Sequence, residues 1–411
     1  MSGIYLPTTT TAVRTVRGHA LDDYRSAIRS VLEAWADKAE AWDDVGHLPQ
    51  AVFRDLGEAG VFRERWSHGR GPGLAYSVVL AEETARINSG LGLAATLHNE
   101  TFIGTLRHFA RNSAQQEMLG RAMDGTVIGC FAVTEPTGGS DIGAVHTSAE
   151  RRAGFWRITG QKRFISNAGT ATHMLCVTRA EGDLLAFILP IAQPGVTVEG
   201  FYPKLGTNGC DAALLRIDTE VPDTARLGAR GSGMVGVQRA LELERVAVSA
   251  QLIQAARQAQ GVALAWARRR KQFGSRLIEH QALAHRWADH DAEILTVEAL
   301  LNSVLLLATD DRPIGGYVTA LKLRAADVAQ RVVDTALQTF GGRGYTTNFP
   351  IERMARDVRL ARIGAGTDEV LRELIAHRLD RPHPAFDEAL DGIVERDIPL
   401  SDDRQPRVEE S

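Results

Sequence analysis

The order in which the spacing of apolar residues changes along this 411-residue chain is the strongest constraint on its fold. Residues 21–125 carry apolar residues at helical spacing, whereas residues 126–233 contain short β-branched stretches punctuated by Gly, Pro and Asn. Residues 234–380 return to long amphipathic helical patterns joined by short loops. We therefore predict an α+β protein with an N-terminal helical domain, a central antiparallel β-barrel or sandwich and a C-terminal helical bundle, flanked by a flexible arm (1–20) and a flexible tail (381–411).

Composition excludes several classes of function. The net charge of −4 gives no sign of binding to nucleic acid or to a membrane surface, and no apolar run is expected to span a membrane. The three cysteines, Cys130, Cys176 and Cys210, have no metal-ligand spacing, and an odd number in a long chain favours a reducing cytoplasm. The threonine-rich N-terminus has no secretory apolar core. We therefore expect a cytoplasmic protein without a metal site.

The segment 338–369 has the pattern helix, glycine break, loop, helix, glycine break, helix. The glycines at 341–342 end the first helix, Pro350 begins the second, and the glycines at 364 and 366 stop it. Thr367 can then N-cap a third helix whose first turn carries carboxylates. Glycines beside a helix N-terminus expose backbone N–H groups to a ligand, although a pair of ordinary helix caps would produce the same pattern.

This segment resembles the C-terminal signature of the acyl-CoA dehydrogenase family of flavoproteins, through FGGRGY at 340–345, ArgAsp at 356–357 and Gly-Ala-Gly-Thr at 364–367. The α–β–α order of patterns is also similar to that family, from about residue 21 to residue 379. Many members carry a catalytic Glu where this chain has Ala365, and an alanine side chain cannot accept a proton. The resemblance therefore implies either a base elsewhere in the chain or a different reaction.

Three further motifs resemble the FAD-binding segments of this family: FAVTEPTGGSD at 131–141, GQKRFISNAG at 160–169 and RKQFGSRLIEHQ at 270–281. Taken alone, they would also fit a strand and turn, a hairpin with core aromatics and a solvated helix end. The resemblance implies contacts with FAD for Phe131, Val133, Thr134, Ser140, Phe164, Ser166, Arg270, Phe273, Gln281, Gln338, Gly341, Gly342, Thr367 and Glu369. The family's counterparts of the 270–281 residues reach a neighbouring subunit, so a homo-oligomer is also implied, either a dimer or a homotetramer.

Glu244 is the candidate for the missing base. It falls on the apolar stripe of a helix with Leu241 and Val248, and its neighbours four residues away on either side are uncharged. Glu242 instead has arginines three residues away on both sides, as a surface ion-pair residue would. Burial would raise the pKa of Glu244 towards the range of a general base, although a structural carboxylate paired with a remote Arg would show the same pattern. Isovaleryl-CoA dehydrogenase carries its base on this helix, in a Leu-Glu-Arg context similar to residues 243–245.

The resemblance implies FAD-dependent α,β-dehydrogenation of an acyl thioester, with Glu244 taking the α-proton, flavin N5 taking hydride and the backbone N–H of Ala365 holding the thioester oxygen. Arg245 and His98 are implied to lie near the substrate. The expected partners are an acyl-CoA or acyl-carrier-protein substrate and electron-transferring flavoprotein or a similar acceptor. Two alternatives stay open: a dehydrogenase of carrier-tethered acyl or aminoacyl groups in secondary metabolism, and a flavin monooxygenase on the same fold.

Overall fold

The computed structural model describes residues 19–69, 71–229 and 231–394, so the arm expected at 1–20 lies almost entirely outside the described residues. The helices of the N-terminal domain are α1 (His19–Glu33), α2 (Ala41–Val45), α3 (Gln50–Glu58), α4 (Val61–Ser67), α5 (Gly73–Ile87), α6 (Ser89–Thr96), α7 (Gly104–Phe109) and α8 (Ser113–Met123), with a π-helical segment (Leu97–Ile103) between α6 and α7. Asn88 and Asn112 begin α6 and α8, because each side chain accepts a hydrogen bond from the backbone N–H three residues later, at 3.0 and 2.9 Å.

The strands of the central domain are β1 (Gly129–Ala132), β2 (Ser148–Arg152), β3 (Phe155–Ser166), β4 (His173–Ala180), β5 (Asp183–Pro190), β6 (Val196–Phe201), β7 (Ala212–Pro222) and β8 (Arg226–Leu227). They form one sheet in the order β6-β7-β3-β2-β4-β5-β8, with β1 beside β4. Most neighbours are antiparallel as predicted, but β1 runs parallel to β4, and β2 meets β4 in parallel at one residue pair. The intervening β2–β3 hairpin makes the connection between β1 and β4 long enough for a parallel pair.

The C-terminal domain is helical as predicted. Its elements are α9 (Gly233–Arg269), a hairpin of β9 (Lys271–Gln272) and β10 (Ser275–Arg276), α10 (Gln281–Thr309), α11 (Gly315–Phe340), α12 (Pro350–Val358), α13 (Asp368–Leu379) and α14 (Pro384–Val394). The predicted start of a helix at Pro350 and the predicted N-cap at Thr367 are both present, since Thr367 Oγ1 accepts a hydrogen bond from the Val370 N–H at 3.3 Å. Residues 384–394, expected to belong to a flexible tail, form α14 instead.

α10 is more apolar than expected, since no stretch of the chain was expected to be able to span a membrane. Among the described residues it is the one helix that is long and apolar enough, by length and composition alone, to do so. It packs against α9 and α11, with Trp287, Ile294 and Leu301 in the core. Its apolar composition is therefore used, at least on this face, for packing within the bundle.

α9 runs through the middle of the molecule. It contacts α5 and the π-helical segment of the N-terminal domain, and α10, α11 and α12 of its own domain. Its 37 residues make it about 55 Å long. A single cluster of buried apolar side chains extends through all three domains, from Ile28 of α1 through Ile158 of β3 to Leu321 of α11. The middle of α9 thus faces a space that both helical domains enclose.

Candidate active site

A cavity of about 1050 Å³ lies where the N-terminal domain, α9 and α12 meet. Its walls include Asn88 at the junction of α5 and α6, Glu244 and Val248 on α9, Phe349 before α12, and Ala365 in the turn before α13. The structure therefore brings the predicted base and the predicted main-chain donor to one cavity, although they are far apart in the chain. Ligand pockets commonly measure about 300–1,000 Å³, so this cavity can admit an acyl group and part of its carrier arm.

The carboxylate of Glu244 is held in a largely dehydrated position. The residue is 6% exposed, and no hydrogen bond or ion pair joins its carboxylate to another side chain in the part of the chain that the structure describes. Burial raises the pKa of Glu244 to about 7, against the smaller opposing effects of Arg245 and Lys322. A carboxyl group with this pKa is partly ionised at neutral pH and can both accept and release a proton.

The turn at Gly364–Gly366 is held from behind by two cations. Arg245 Nε donates to the Ala365 carbonyl at 2.9 Å, and Lys322 Nζ donates to the Gly366 carbonyl at 2.6 Å. Ala365 has a φ of 54° and Gly366 a φ of 96°, and a Cβ atom on Gly366 would lie 3.1 Å from Arg245 Nη2. Arg245, which was expected near the substrate, therefore contacts the main chain of this turn.

Lys322 was not predicted from the sequence. It is fully buried on the face of α11 that also carries Val318 and Ala325. Burial lowers its pKa to about 8, with Asp368 as the largest opposing influence. The position of a lysine on a buried apolar stripe could have indicated a special role for this residue. Its partner, the Gly366 carbonyl, becomes apparent only in the folded chain.

His98 lies away from the cavity that it was expected to line. Its ring packs between Phe53 and Phe62 in the core of the N-terminal domain. Nε2 donates to the Ala122 carbonyl at 3.1 Å, and Nδ1 accepts from the Gly129 N–H at 3.1 Å. Burial lowers the pKa of His98 to about 4, so the ring is neutral and ties β1 to the N-terminal helices.

The 131–141 motif forms a closed turn at the end of β1. The backbone N–H and carbonyl of Glu135 pair with those of Gly138, at 3.0 and 3.1 Å. The buried Glu135 carboxylate accepts hydrogen bonds from Lys162 Nζ at 2.8 Å and from the Thr147 N–H at 2.9 Å. These buried contacts, which were not predicted, hold Thr134 half-buried at the edge of the sheet and leave Ser140 exposed.

A bulge in β3 presents the aromatic ring of Phe164. The register of β3 against β7 shifts between Lys162 and Ile165, and Phe164 has a φ of 55°. The ring is half-exposed, lies 4.6 Å from that of Tyr202, and has the Arg163 guanidinium 4.6 Å from its centroid. A strained residue that exposes a flat aromatic face suits the binding of a planar ring system.

The predicted trans-acting residues lie on an exposed arm. Phe273 and Gly274 form the tip of the β9–β10 hairpin with φ values of 50° and 81°, as a type I′ turn requires. The Phe273 side chain is 96% exposed, and Arg270 and Gln281 on either side of the hairpin are also exposed. An aromatic ring held in solvent on a strained turn fits a ligand or subunit that covers it.

The remaining predicted cofactor residues divide into two groups. Gln338, Gly341 and Gly342 are exposed at the end of α11, and a Cβ atom on either glycine would meet nothing within 4 Å. Thr367 and Glu369 lie at the start of α13, where the Thr367 hydroxyl acts as the N-cap and Glu369 is exposed. The first group therefore borders open space that a ligand could fill. The second group is explained by its role in starting α13, whether or not a ligand binds there.

The donor set fits a flavin dinucleotide. It combines an exposed aromatic face at Phe164, hydroxyl groups at Thr134, Ser166 and Ser140, and an arginine at 270 whose forked donors match paired phosphate oxygens. Within the described residues, no group of His, Cys, Asp and Glu side chains has the arrangement of a metal site. The chemistry of these side chains is thus compatible with an organic cofactor beside the β domain.

Comparisons with known proteins agree with this arrangement. Models of the acyl-CoA dehydrogenase N-terminal, middle and C-terminal domains match residues 20–126, 130–219 and 231–379. The chain is 32% identical to the acyl-[acyl-carrier-protein] dehydrogenase MbtN of Mycobacterium sp. (strain MCS), over 92% of this chain and 98% of that protein. It is 31% identical to the probable acyl-CoA dehydrogenase YngJ of Bacillus subtilis (strain 168), over 86% of this chain and 97% of that protein. The structure of butyryl-CoA dehydrogenase from Megasphaera elsdenii has a TM-score of 0.83 at 25% identity, covering 89% of this chain and 99% of that chain.

Proposed function

Because this chain belongs to the acyl-CoA dehydrogenase family and is an oxidoreductase of acyl thioesters, we propose that Glu244 is the base that removes the proton from the α-carbon of its substrate. The β-carbon loses a hydride in the same reaction, which leaves an α,β double bond. A bound FAD supplies the hydride acceptor. The observation that carries this proposal is the burial of the Glu244 carboxylate, which raises its pKa to about 7, in the same cavity as Ala365.

Ala365 contributes through its main chain. Negative charge develops on the thioester oxygen as the α-proton leaves, and a backbone N–H aimed at that oxygen stabilises the charge. The turn at Gly364–Gly366 is held by Arg245 and Lys322, which makes the Ala365 N–H a suitable donor. Every residue except proline supplies a backbone N–H at this position. The base and the donor therefore come from different segments, and the methyl side chain of Ala365 is compatible with activity.

The acyl chain would extend along α9. Val248, Leu252 and Ala255 line the cavity one to three turns beyond Glu244, and they provide an apolar wall for hydrocarbon. The thioester would then lie beside Glu244 and Ala365, and the carrier arm would leave past them. We propose that Thr134, Ser140, Phe164 and Ser166 hold FAD on the other side of the reacting carbons.

We also propose a second subunit and an external electron acceptor. Arg270, Phe273 and Gln281 would hold the FAD of a second subunit, which makes the enzyme at least a dimer. Electron-transferring flavoprotein or a similar carrier would remove the electrons. The three free cysteines are all buried, which is compatible with work in a reducing cytoplasm.

The test is the reduction of the flavin by substrate without oxygen. Glu244→Gln should bleach the flavin absorbance at least about 10²-fold more slowly with a panel of acyl-CoAs, because a positioned base contributes about 10²–10⁴-fold. Its FAD content should equal that of the wild type. Glu242→Gln, on the same helix, is the control and should react at nearly the wild-type rate. A Glu244→Gln enzyme that is reduced as fast as the wild type would refute the assignment of the base.

The name of one relative favours a second candidate substrate, a thioester on an acyl-carrier protein. Both carriers present the acyl group on phosphopantetheine, so the chemistry at Glu244 would be the same. Single-turnover reduction with one acyl group on each carrier separates the two. A rate of reduction at least tenfold higher with the carrier protein than with CoA would establish the carrier protein as the substrate. The preference should persist at high salt, where non-specific attraction between surface charges is screened.

A further inference from the structure

Lys322 occupies an unusual position for a lysine. Its side chain is fully buried in the domain core, and its ammonium group donates to the Gly366 carbonyl at 2.6 Å, one residue from Ala365. Taking an ammonium group out of water is unfavourable unless other groups compensate. A hydrogen bond to one backbone carbonyl replaces only part of its hydration, so the position calls for an explanation beyond packing.

The charges around Lys322 leave an excess of positive charge behind the turn. Arg245 on α9, Lys322 on α11 and Arg362 before α13 are the cations, and Glu244 and Asp368 are the anions that act on Lys322. Asp368 is already paired with Arg362, with Arg362 Nε 2.6 Å from Asp368 Oδ2. The charged groups that act on Glu244 itself are Arg245 and Lys322. Negative charge that develops in the cavity would therefore meet a positive field from the α11 side.

The turn also needs an external constraint. Alanine seldom adopts a φ of 54°, and such a conformation costs about 1–3 kcal/mol, so it persists only where the surrounding structure imposes it. The carbonyls of Ala365 and Gly366 are held by Arg245 and Lys322, respectively. These contacts fix the two peptide planes that follow Ala365, those of Ala365–Gly366 and Gly366–Thr367, and so restrain the turn from which the Ala365 N–H projects.

We propose that Lys322 is a positioning residue of the dehydrogenation. It restrains the turn that carries the Ala365 N–H, and it keeps positive charge beside Glu244 and the developing enolate. It does not touch the substrate. This role rests on the proposed function, since it assumes that Glu244 is the base and that Ala365 supplies the N–H group.

The first test is the dependence of rate on pH. Lys322→Met removes the charge and the hydrogen bond, and Lys322→Gln removes the charge but keeps a donor. Lys322→Met should lower the rate of flavin reduction at pH 7 about 10²-fold, with a smaller change in KM, because misplacement of the reacting groups by about 1 Å has that effect. Lys322→Gln should lower the rate by less, because it keeps a donor for the Gly366 carbonyl. The acidic limb of the pH profile, which reports Glu244, should move upward by about one pH unit because a nearby cation has been lost. The wild-type rate should also fall as the pH rises past about 8, where Lys322 loses its proton, and both variants should lack this fall.

The second test does not depend on turnover. Acetoacetyl-CoA has an acidic α-proton and can bind as its enolate, so the absorbance of the bound enolate against pH measures how well the site stabilises negative charge. Lys322→Met and Lys322→Gln should shift this ionisation to higher pH and weaken enolate binding at least tenfold. Arg324→Met, an exposed position on the same helix, is the matched control and should change neither quantity.

The outcomes separate the possible explanations. Variants that are destabilised to thermal unfolding but keep the wild-type pH profile and enolate ionisation would show that Lys322 has only a structural role, and this would overturn the proposal. If a variant does not fold, the test is the fall in the wild-type rate of flavin reduction above about pH 8. The absence of this fall would also overturn the proposal. If Glu244→Gln is inactive while the Lys322 variants behave as the wild type, the proposed function stands and this inference alone fails.

Discussion

Replacing Glu244 with glutamine is expected to stabilise the folded protein, and by more as the pH rises. Burial raises the pKa of Glu244 from its ordinary value of 4.5 to about 7, so the folded state resists ionisation of this carboxyl group. Below pH 4.5 the group is protonated in both the folded and the unfolded state, and no penalty arises. Above about pH 7 it is ionised in both states, and the folded state bears the whole penalty of a dehydrated carboxylate.

The size of the effect follows from the gap between the two pKa values. At 1.36 kcal/mol per pKa unit, the gap between 4.5 and about 7 corresponds to about 3 kcal/mol of unfolding free energy, lost progressively between these pH values. Glutamine has nearly the shape of the protonated side chain and stays neutral throughout. The stability of Glu244→Gln relative to wild type should therefore be close to zero at pH 4.5 and about 3 kcal/mol at pH 8.

Urea unfolding at a series of pH values, with FAD in fixed excess, measures this difference. Glu242→Gln provides the control for removing a carboxylate from the same helix, and it should gain less stability at pH 8 than Glu244→Gln because Glu242 is only partly buried. A Glu244→Gln protein whose advantage is the same at pH 5 and pH 8 would contradict the argument. It would mean that the carboxylate is hydrated in solution, and the reason for assigning it a neutral pKa would be lost.

Three further substitutions test the surrounding structure. Phe273→Ala should leave the fold intact because its ring is 96% exposed, but should weaken FAD retention at least tenfold and shift the protein towards monomers, as measured by flavin release and sedimentation on dilution. His98→Leu should destabilise the protein by about 2–4 kcal/mol in denaturant unfolding, because one buried donor and one buried acceptor lose their partners, while kcat is unchanged. Gly366→Ala should reduce the rate of flavin reduction about 10²-fold without loss of FAD, since its φ of 96° and its 3.1 Å approach to Arg245 both oppose a side chain; an unchanged rate would show that the turn can move freely.

The sequence was sufficient to predict features that depend on local chemistry. The fold class was confirmed, and so were the helix start at Pro350 and the N-cap at Thr367, because a proline and a hydroxyl act on the few residues that follow them. The burial of Glu244 was likewise predictable, since helical periodicity assigns each side chain to a face. Its role as base remains a prediction.

Features that depend on distant segments were not predictable in this way. Lys322 lies on a buried stripe, but its partner at Gly366 is 44 residues away. His98 looked like a polar residue beside a pocket, whereas its ring nitrogens pair with Ala122 and Gly129 across a domain boundary. The parallel pairing of β1 with β4 similarly depends on where the chain returns after the β2–β3 hairpin.

The location of Glu244 within α9, about one third of the way from its N-terminus, has a mechanical consequence. A helix that is packed along its length resists bending, so the backbone that carries the base is rigid. The carboxylate then adjusts only by rotation of its own side chain. The same helix ends at the arm that begins with Arg270, about 39 Å further along its axis. In the proposed assembly, α9 thus rigidly connects the proton-transfer site of one subunit to the cofactor of the next. A displacement of the arm along the helix axis would be transmitted to the base, so subunit contact and catalytic alignment are linked by a single rigid element.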